Sequence, residues 1–201
     1  MGLFARLRDP EQKKGADQSV SAVEHYEKGV DMAGRGLYSS ALEEFIQAVR
    51  KQPEYAEAHF NLGVTYDKLG LFDEAKKAYV QAIRIKPDYV EPYNNLGVAY
   101  CGEGLFHEAI KVYIQAIRIK PDYAEARSNL GVVYYNLGRY AEAIKAYKQA
   151  IKLNPDHTKA HHSLALAYLA TGDKESALEE YEILKGLDRD VAHDLLDEMS
   201  R

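Results

Sequence analysis

The sequence has a single cysteine, Cys101, among its 201 residues, which excludes a disulfide bond within one chain. It also lacks any run of about 18 apolar residues, the length needed to span a membrane as a helix. Its first residues, MGLFARLR, carry positive charge but no apolar stretch long enough for a secretory signal. Together these absences predict a cytoplasmic protein without a membrane span.

Positive charge is scarce as well. The chain has 26 lysine and arginine residues against 31 aspartate and glutamate residues, a formal net charge of −5. Proteins that bind nucleic acid present an excess of positive charge on one face. Nucleic acid is therefore not an expected partner.

The short motifs that carry catalysis are missing too: there is no phosphate-binding glycine loop, nucleophile elbow or acid pair with recurring catalytic spacing. Among seven histidines, His157, His161 and His162 have a spacing that a metal site on a helix could use. However, His25, His59 and His161 occupy equivalent positions in the repeat described next, which favours a packing role. We expect no enzyme activity, no metal site and no cofactor.

Four prolines recur at intervals of 34 residues, at Pro53, Pro87, Pro121 and Pro155. A fixed period of this length indicates a repeat architecture. Aligned at this period, the chain has five units, which begin at Ala22, Ala56, Val90, Ala124 and Thr158. The length leaves no room for a separate catalytic domain.

We number the positions of a unit as places, counted from its first residue. Place fifteen is glycine and place twenty is alanine in all five units, whereas place eight is glycine in four and place twenty-four is aromatic in five. Small residues let two helices approach closely, and glycine suits a tight turn where the first helix ends. Place eight is Gly29, Gly63, Gly97, Gly131 and Ala165, and place fifteen is Gly36, Gly70, Gly104, Gly138 and Gly172. Place twenty is Ala41, Ala75, Ala109, Ala143 and Ala177. Place twenty-four is Phe45, Tyr79, Tyr113, Tyr147 and Tyr181.

These columns resemble the tetratricopeptide repeat (TPR) pattern, L-G-x-x-Y followed by A-x-x-x-F and proline. The resemblance extends from Ala22 to about Arg189 and implies an all-α, right-handed solenoid of antiparallel helix pairs. The predicted organisation is a flexible N-terminal segment (1–21), five repeats (22–55, 56–89, 90–123, 124–157 and 158–191) and a C-terminal capping helix (190–201).

The two ends depart from the repeat. Before it, Leu3, Phe4 and Leu7 lie among arginines, so this segment is either a disordered tail or a short docking peptide for a partner, a membrane surface or the groove of another copy. After it, Val191, Leu195, Leu196 and Met199 fall on one side of a predicted helix. A terminal helix of this kind covers the apolar side of the last repeat.

The most specific functional signal is asparagine at place six of the three central units, at Asn61, Asn95 and Asn129. The TPR resemblance implies that first helices line the concave wall, where this asparagine row could grip an extended backbone. Asparagine offers the acceptor and donors that match a peptide bond. The row is similar to the groove asparagines that hold substrate peptides in the TPR superhelix of O-linked N-acetylglucosamine transferase. Alternatively, these asparagines cap or link neighbouring helices.

Other places on the same wall give a mixed surface. Glu57, Glu91 and Glu125 form an acidic edge, although glutamate is also an ordinary residue for the start of a helix. We expect a neutral or basic protein or peptide ligand in extended conformation. The cations of the two-carboxylate clamp, with which co-chaperone TPR domains bind acidic C-termini, are absent. The remaining predicted peptide-binding residues are Phe60, Val64, Asn94, Val98, Ser128, Val132, Tyr135 and His162.

The sequence thus predicts a non-enzymatic interaction adaptor that binds an extended peptide in a concave groove. The alternative is a self-assembling scaffold, a homo-oligomer whose N-terminal segment docks into a neighbouring copy. That alternative resembles the TPR protein that coats bacterial magnetosomes, a comparison that rests on the repeat type alone. The pathway and the identity of the ligand are not encoded in any motif.

Overall fold

The computed structural model describes residues 20–199, so the predicted docking peptide at Leu3, Phe4 and Leu7 lies outside the described residues. The described part is built of helices joined by short turns. In chain order they are α1 (Ala22–Gly34), α2 (Tyr38–Lys51), α3 (Ala56–Lys68), α4 (Phe72–Ile85), α5 (Val90–Gly102), α6 (Phe106–Ile119), α7 (Ala124–Asn136), α8 (Tyr140–Leu153), α9 (Thr158–Ala170), α10 (Lys174–Leu187) and α11 (Arg189–Met199).

Each 34-residue unit folds as one antiparallel hairpin, whose first helix starts at place one and whose second helix starts at place seventeen. The turn between them depends on the glycine at place fifteen, which has φ between 70° and 81° in all five units. This left-handed conformation is unfavourable for residues with a Cβ atom. The left-handed glycine expected from the sequence is confirmed.

Close packing inside a hairpin depends on the glycine at place eight. A Cβ atom added to Gly63 would lie 2.6 Å from Cε1 of Tyr79, and one added to Gly97 would lie 2.5 Å from Cε1 of Tyr113. The aromatic ring at place twenty-four therefore lies directly on the glycine of its own hairpin. The alanines at place twenty are fully buried in every unit, so the second helix also presents a small residue to its neighbours.

Successive hairpins stack, and each second helix contacts the first helix of the next unit. The side chain at place four reinforces this join: in four units it forms a hydrogen bond to the carbonyl oxygen of the proline that ends the preceding unit. The donors are chemically different: His59 Nε2 to Pro53 (2.9 Å), Tyr93 Oη to Pro87 (3.1 Å), Arg127 to Pro121 (2.7 and 3.2 Å) and His161 Nε2 to Pro155 (2.8 Å).

The last hairpin is covered by α11, which packs against both α9 and α10. Ala192 and Leu195 of α11 are buried in the same cluster as Leu164 and Leu184, and Val191 and Met199 pack at its edge. The exposed side of α11 carries Asp190, Asp194 and Asp197. This helix therefore presents an apolar side to the stack and a polar side to solvent. The described part is an all-α solenoid of antiparallel helix pairs, as the sequence predicts.

Candidate functional site: the inner face of the first helices

The first helices form the inner side of the solenoid. Contacts join α1 to α3, α5 to α7 and α7 to α9, in addition to the contacts within and between hairpins. These contacts are between the first helices of successive units. In a curved stack, equivalent helices that approach each other in this way lie on the concave side. The inner face of these helices is thus the extended surface on which the predicted site residues are located.

An aliphatic side chain occurs at place nine of all five first helices. Val30, Val98 and Val132 are 44%, 52% and 37% exposed, and Val64 and Leu166 are half-buried. We call these five residues the aliphatic row. Exposed apolar side chains that are grouped on one surface often mark an interaction site, so the row is a candidate contact surface for a ligand.

The asparagine row runs beside it, and each of its members bonds to the preceding unit. Asn61 Nδ2 donates to Tyr26 Oη (3.0 Å), Asn95 Nδ2 donates to Tyr79 Oη (3.4 Å), and Asn129 Nδ2 donates to Asn94 Oδ1 (3.0 Å). These bonds orient all three carboxamide groups. The three Oδ1 atoms accept no hydrogen bond within the described part of the chain, and each has room for two.

Other predicted site residues differ in accessibility. Asn94 is only 2% exposed, and it bonds to Asn129 and to Glu125, with its Nδ2 3.4 Å from Oε1 of the glutamate. Ser128 is 5% exposed. The structure therefore places Asn94 beneath the surface, where it positions Asn129.

The predicted aromatic residues lie at the edges of the inner face. Phe60 is half-buried between Tyr79 and Tyr89, with ring centroids 6.0 and 5.2 Å away. Tyr135 is half-buried against Tyr140, at 5.2 Å. Both rings pack against aromatic neighbours and remain partly exposed.

A tyrosine–aspartate pair connects the asparagine row to the hairpin interior. Tyr79 Oη donates to Asp67 Oδ2 at 2.5 Å and accepts from Asn95. Burial raises the pKa of Asp67 and also the pKa of Tyr79. The sequence pattern did not identify this pair, because tyrosine at place twenty-four is explained by packing alone. The sequence did contain a signal for it: the tyrosines at place twenty-four carry a hydroxyl group, which Phe45 at the same place of the first unit lacks.

The acidic edge is partly neutralised. Glu57 Oε1 accepts a hydrogen bond from Lys86 Nζ at 3.0 Å, and this bond lowers the pKa of Glu57. Glu91 remains exposed, and Glu125 contacts Asn94. Neither Glu91 nor Glu125 forms an ion pair within residues 20–199, so both keep their negative charge uncompensated.

Two concavities interrupt the inner face. The smaller one, about 170 Å³, lies at the N-terminal end and brings Asn61 and Val64 together with Tyr26 and Val30. The larger one, about 770 Å³, lies between α7, α9 and α11 and brings together four predicted residues, Ser128, Asn129, Val132 and His162. Glu125, predicted as part of the acidic edge, also lines it, together with residues that the sequence did not assign to the peptide site, among them Asp156, His157, Lys159 and Asp194.

The cysteine and the histidines have structural surroundings. Burial raises the pKa of the Cys101 thiol, which lies 4.0 Å from Tyr113 Oη. His25 Nδ1 lies 2.6 Å from Glu44 and His161 Nδ1 lies 2.5 Å from Glu180, so each links the two helices of its hairpin. Within residues 20–199, no group of three or more histidine, cysteine, aspartate or glutamate side chains is arranged to hold a metal ion. None of the helices described combines the length and apolar character of a membrane span.

Sequence-family models match most of the repeat region. Models described as tetratricopeptide repeat match residues 56–89, 124–157 and 146–179, and one described as TPR repeat matches residues 34–70 and 103–138. Together these matches extend over residues 34–89 and 103–179. No curated protein matches the chain.

Solved structures with the same architecture include several of MamA. A crystal structure of MamA protein is 26% identical, with a TM-score of 0.73 over 82% of this chain and 90% of that one. A structure of MamA AMB-1 is 29% identical, with a TM-score of 0.68 over 84% and 92%. MamA 41-end from Desulfovibrio magneticus RS-1 is 20% identical, with a TM-score of 0.76 over 84% and 96%, a likeness of fold alone.

Proposed function

Because the chain belongs to the tetratricopeptide repeat family, we propose that it is a non-enzymatic adaptor that binds an extended peptide segment on the inner face of its first helices. The family and the MamA-like architecture support a protein-interaction adaptor or scaffold. The cytoplasmic location predicted from the sequence remains part of this proposal.

One observation carries it: within residues 20–199 the Oδ1 atoms of Asn61, Asn95 and Asn129 accept no hydrogen bond, while their Nδ2 atoms are fixed by bonds to the preceding unit. The linking role and the gripping role are thus compatible, since the link uses only one donor of each carboxamide. A backbone N–H of a ligand would supply the missing donor. The exposed aliphatic row runs alongside and would contact ligand side chains.

The spacing between the asparagines predicts the length of the peptide segment that they would hold. Packed helices are about 8–10 Å apart, and an extended chain advances about 3.3 Å per residue. If neighbouring asparagines are separated by approximately one such helix spacing, each serves about three residues of the ligand. Three asparagines would then hold an extended segment of roughly seven to nine residues.

The test uses random nonapeptides displayed on phage and selected on wild-type protein, followed by calorimetry with the selected peptides. Replacing Asn95, the central member, by alanine should weaken binding about two- to twelve-fold, because one net hydrogen bond contributes about 0.5–1.5 kcal/mol. The triple Asn61, Asn95 and Asn129 alanine variant should bind more weakly still. Ligands of unrelated sequence should lose similar affinity, since a backbone contact does not depend on side chains.

A matched variant separates gripping from linking. Tyr26→Phe removes the partner of Asn61 and retains the asparagine, so it should change stability more than peptide affinity. If the triple alanine variant binds peptides as well as the wild type but loses several kcal/mol of folding stability, the asparagine row only links repeats. The ligand would then have to be recognised by Phe60, Tyr135, His162 and the acidic edge.

A second candidate function, self-assembly, is favoured by charge. The segment around Leu3, Phe4 and Leu7 contains Arg6 and Arg8, and the inner face offers an aliphatic row beside an acidic edge. Sedimentation velocity over a range of concentrations, with and without residues 1–20, tests this candidate. Association that disappears on truncation supports a scaffold, whereas a protein that is monomeric in both forms excludes it.

A further inference from the structure

The 770 Å³ cavity at the C-terminal end of the inner face is formed partly outside the repeats. Glu125, Ser128, Asn129 and Val132 of α7 form one wall, and Lys159, His162 and Ser163 of α9 form another. Val191 and Asp194 of α11 close the end, and Asn154, Asp156 and His157 line the connection before α9. The capping helix thus gives the inner face a boundary as well as covering the last repeat.

The cavity carries excess negative charge. Three carboxylates line it, at Glu125, Asp156 and Asp194, against one ammonium group, at Lys159. Asp156 and Asp194 form no ion pair within residues 20–199, and Lys159 pairs with neither. Burial lowers the pKa of His157, which keeps that ring neutral near pH 7. Its walls therefore attract a cation.

An unused polar group points to a ligand independently of this charge. Ser128 is 95% buried, since only 5% of its surface is exposed, and it lines the cavity. Its hydroxyl group has no hydrogen-bond partner in the described part of the chain. Because no fully buried polar atom there lacks a partner, this hydroxyl group is accessible to solvent. Asn129 contributes a second unused acceptor, its Oδ1. Both oxygens are therefore open to the solvent in the cavity and free to accept hydrogen bonds, which suits a ligand that donates them.

From these observations we infer that the cavity is a subsite for a lysine or arginine side chain of the bound peptide. This inference rests on the proposed function and deepens it: the ligand is a peptide with a basic residue at the position that reaches α11. The carboxylates of Asp156 and Asp194 provide the counter-charge, and Ser128 and Asn129 accept hydrogen bonds. A volume of 770 Å³ is that of a typical ligand pocket, large enough for the side chain, its flanking residue and bridging water.

The experiment is selection of random nonapeptides from a phage library in which each peptide is flanked by linker on both sides, so that no free amino terminus competes. Peptides selected by the wild type should be enriched in lysine or arginine at one position. Asp156→Asn/Asp194→Asn removes two charges while retaining shape and should abolish this enrichment. The matched control, Asp190→Asn/Asp197→Asn, removes two charges from exposed positions of α11 that do not line the cavity and should preserve it.

Calorimetry with one selected peptide completes the test. Replacing its basic residue by glutamine should weaken binding to the wild type at least about tenfold, as expected for a charge-assisted hydrogen bond. The same replacement should have little effect on binding to Asp156→Asn/Asp194→Asn. Selected peptides without a preferred basic position would overturn the subsite while leaving the adaptor function intact. A library that yields no binders would overturn the adaptor function and with it this inference.

Discussion

At the scale of single residues, the glycine at place eight, which has a hydrogen atom instead of a Cβ, decides how closely the two helices of a hairpin pack. Tyr113 is only 1% exposed, and a Cβ added to Gly97 would lie 2.5 Å from its Cε1 atom. The fifth unit shows the alternative: it has Ala165 at this place, and its place-twenty-four ring, Tyr181, is only half-buried. A glycine here therefore allows the aromatic ring to be buried.

Gly97→Ala should lower the free energy of unfolding by about 1–3 kcal/mol, the usual range for overpacking, although alanine favours helix by about 1 kcal/mol. Urea titration followed by circular dichroism measures the difference. Gly102→Ala is the control, because Gly102 ends the same helix and nothing lies within 4 Å of its added Cβ. Equal stability of Gly97→Ala and the wild type would show that the ring can move without cost.

At the scale of elements, the hairpins are joined by side chains that differ in shape but that each donate a hydrogen bond. Histidine, tyrosine and arginine all reach the carbonyl oxygen of the proline six residues earlier. This contact accounts for His59 and His161 at place four, whereas His25, in the first unit, pairs with Glu44 instead. The predicted packing role of these histidines includes a polar contact that the period alone does not reveal.

Tyr93→Phe removes only the hydroxyl group that bonds Pro87 at 3.1 Å. It should destabilise the protein by about 0.5–1.5 kcal/mol, the net value of one hydrogen bond. Tyr100→Phe is the matched control, because the hydroxyl group of Tyr100 makes no hydrogen bond within residues 20–199. Chemical denaturation of the two variants should therefore give different midpoints, and coincident midpoints would contradict a stabilising join.

The helices were predictable from sequence because the repeat columns are steric requirements. Glycine at place fifteen has positive φ and the alanine at place twenty is fully buried in every unit, so the period determines where hairpins begin and turn. The asparagine row was predictable as a row, but its bonds to Tyr26, Tyr79 and Asn94 were not, because they depend on how adjacent hairpins are rotated. The larger cavity was not predictable either: α11 lies outside the period, and no column fixes its angle to α9.

At the scale of the whole molecule, each hairpin contacts mainly its neighbours, and the two ends are therefore independent of each other. The C-terminal end is held by Leu195, which is fully buried between α9, α10 and α11. Loss of packing there should loosen the last hairpin without reaching the first.

Leu195→Ala should cost about 2–5 kcal/mol locally, as for other buried leucines. Hydrogen exchange measured by mass spectrometry should accelerate in residues 158–199 and stay unchanged in residues 22–89. Asp197→Ala, an exposed position on the same helix, should leave both regions unchanged. Faster exchange throughout the chain would indicate that the array unfolds as one cooperative body.

The hydrogen bond from place four to the preceding proline also bears on how such a chain can lengthen. Four units end with a proline whose carbonyl oxygen accepts this bond, and each following unit begins with a side chain that donates it, so units with different donors are joined in the same way. Duplication of one of the three central 34-residue segments would supply both halves of the new joint at once and add one more asparagine to the inner face. Growth by gene duplication would then extend the reach of the protein along a partner while its two terminal structures stay as they are.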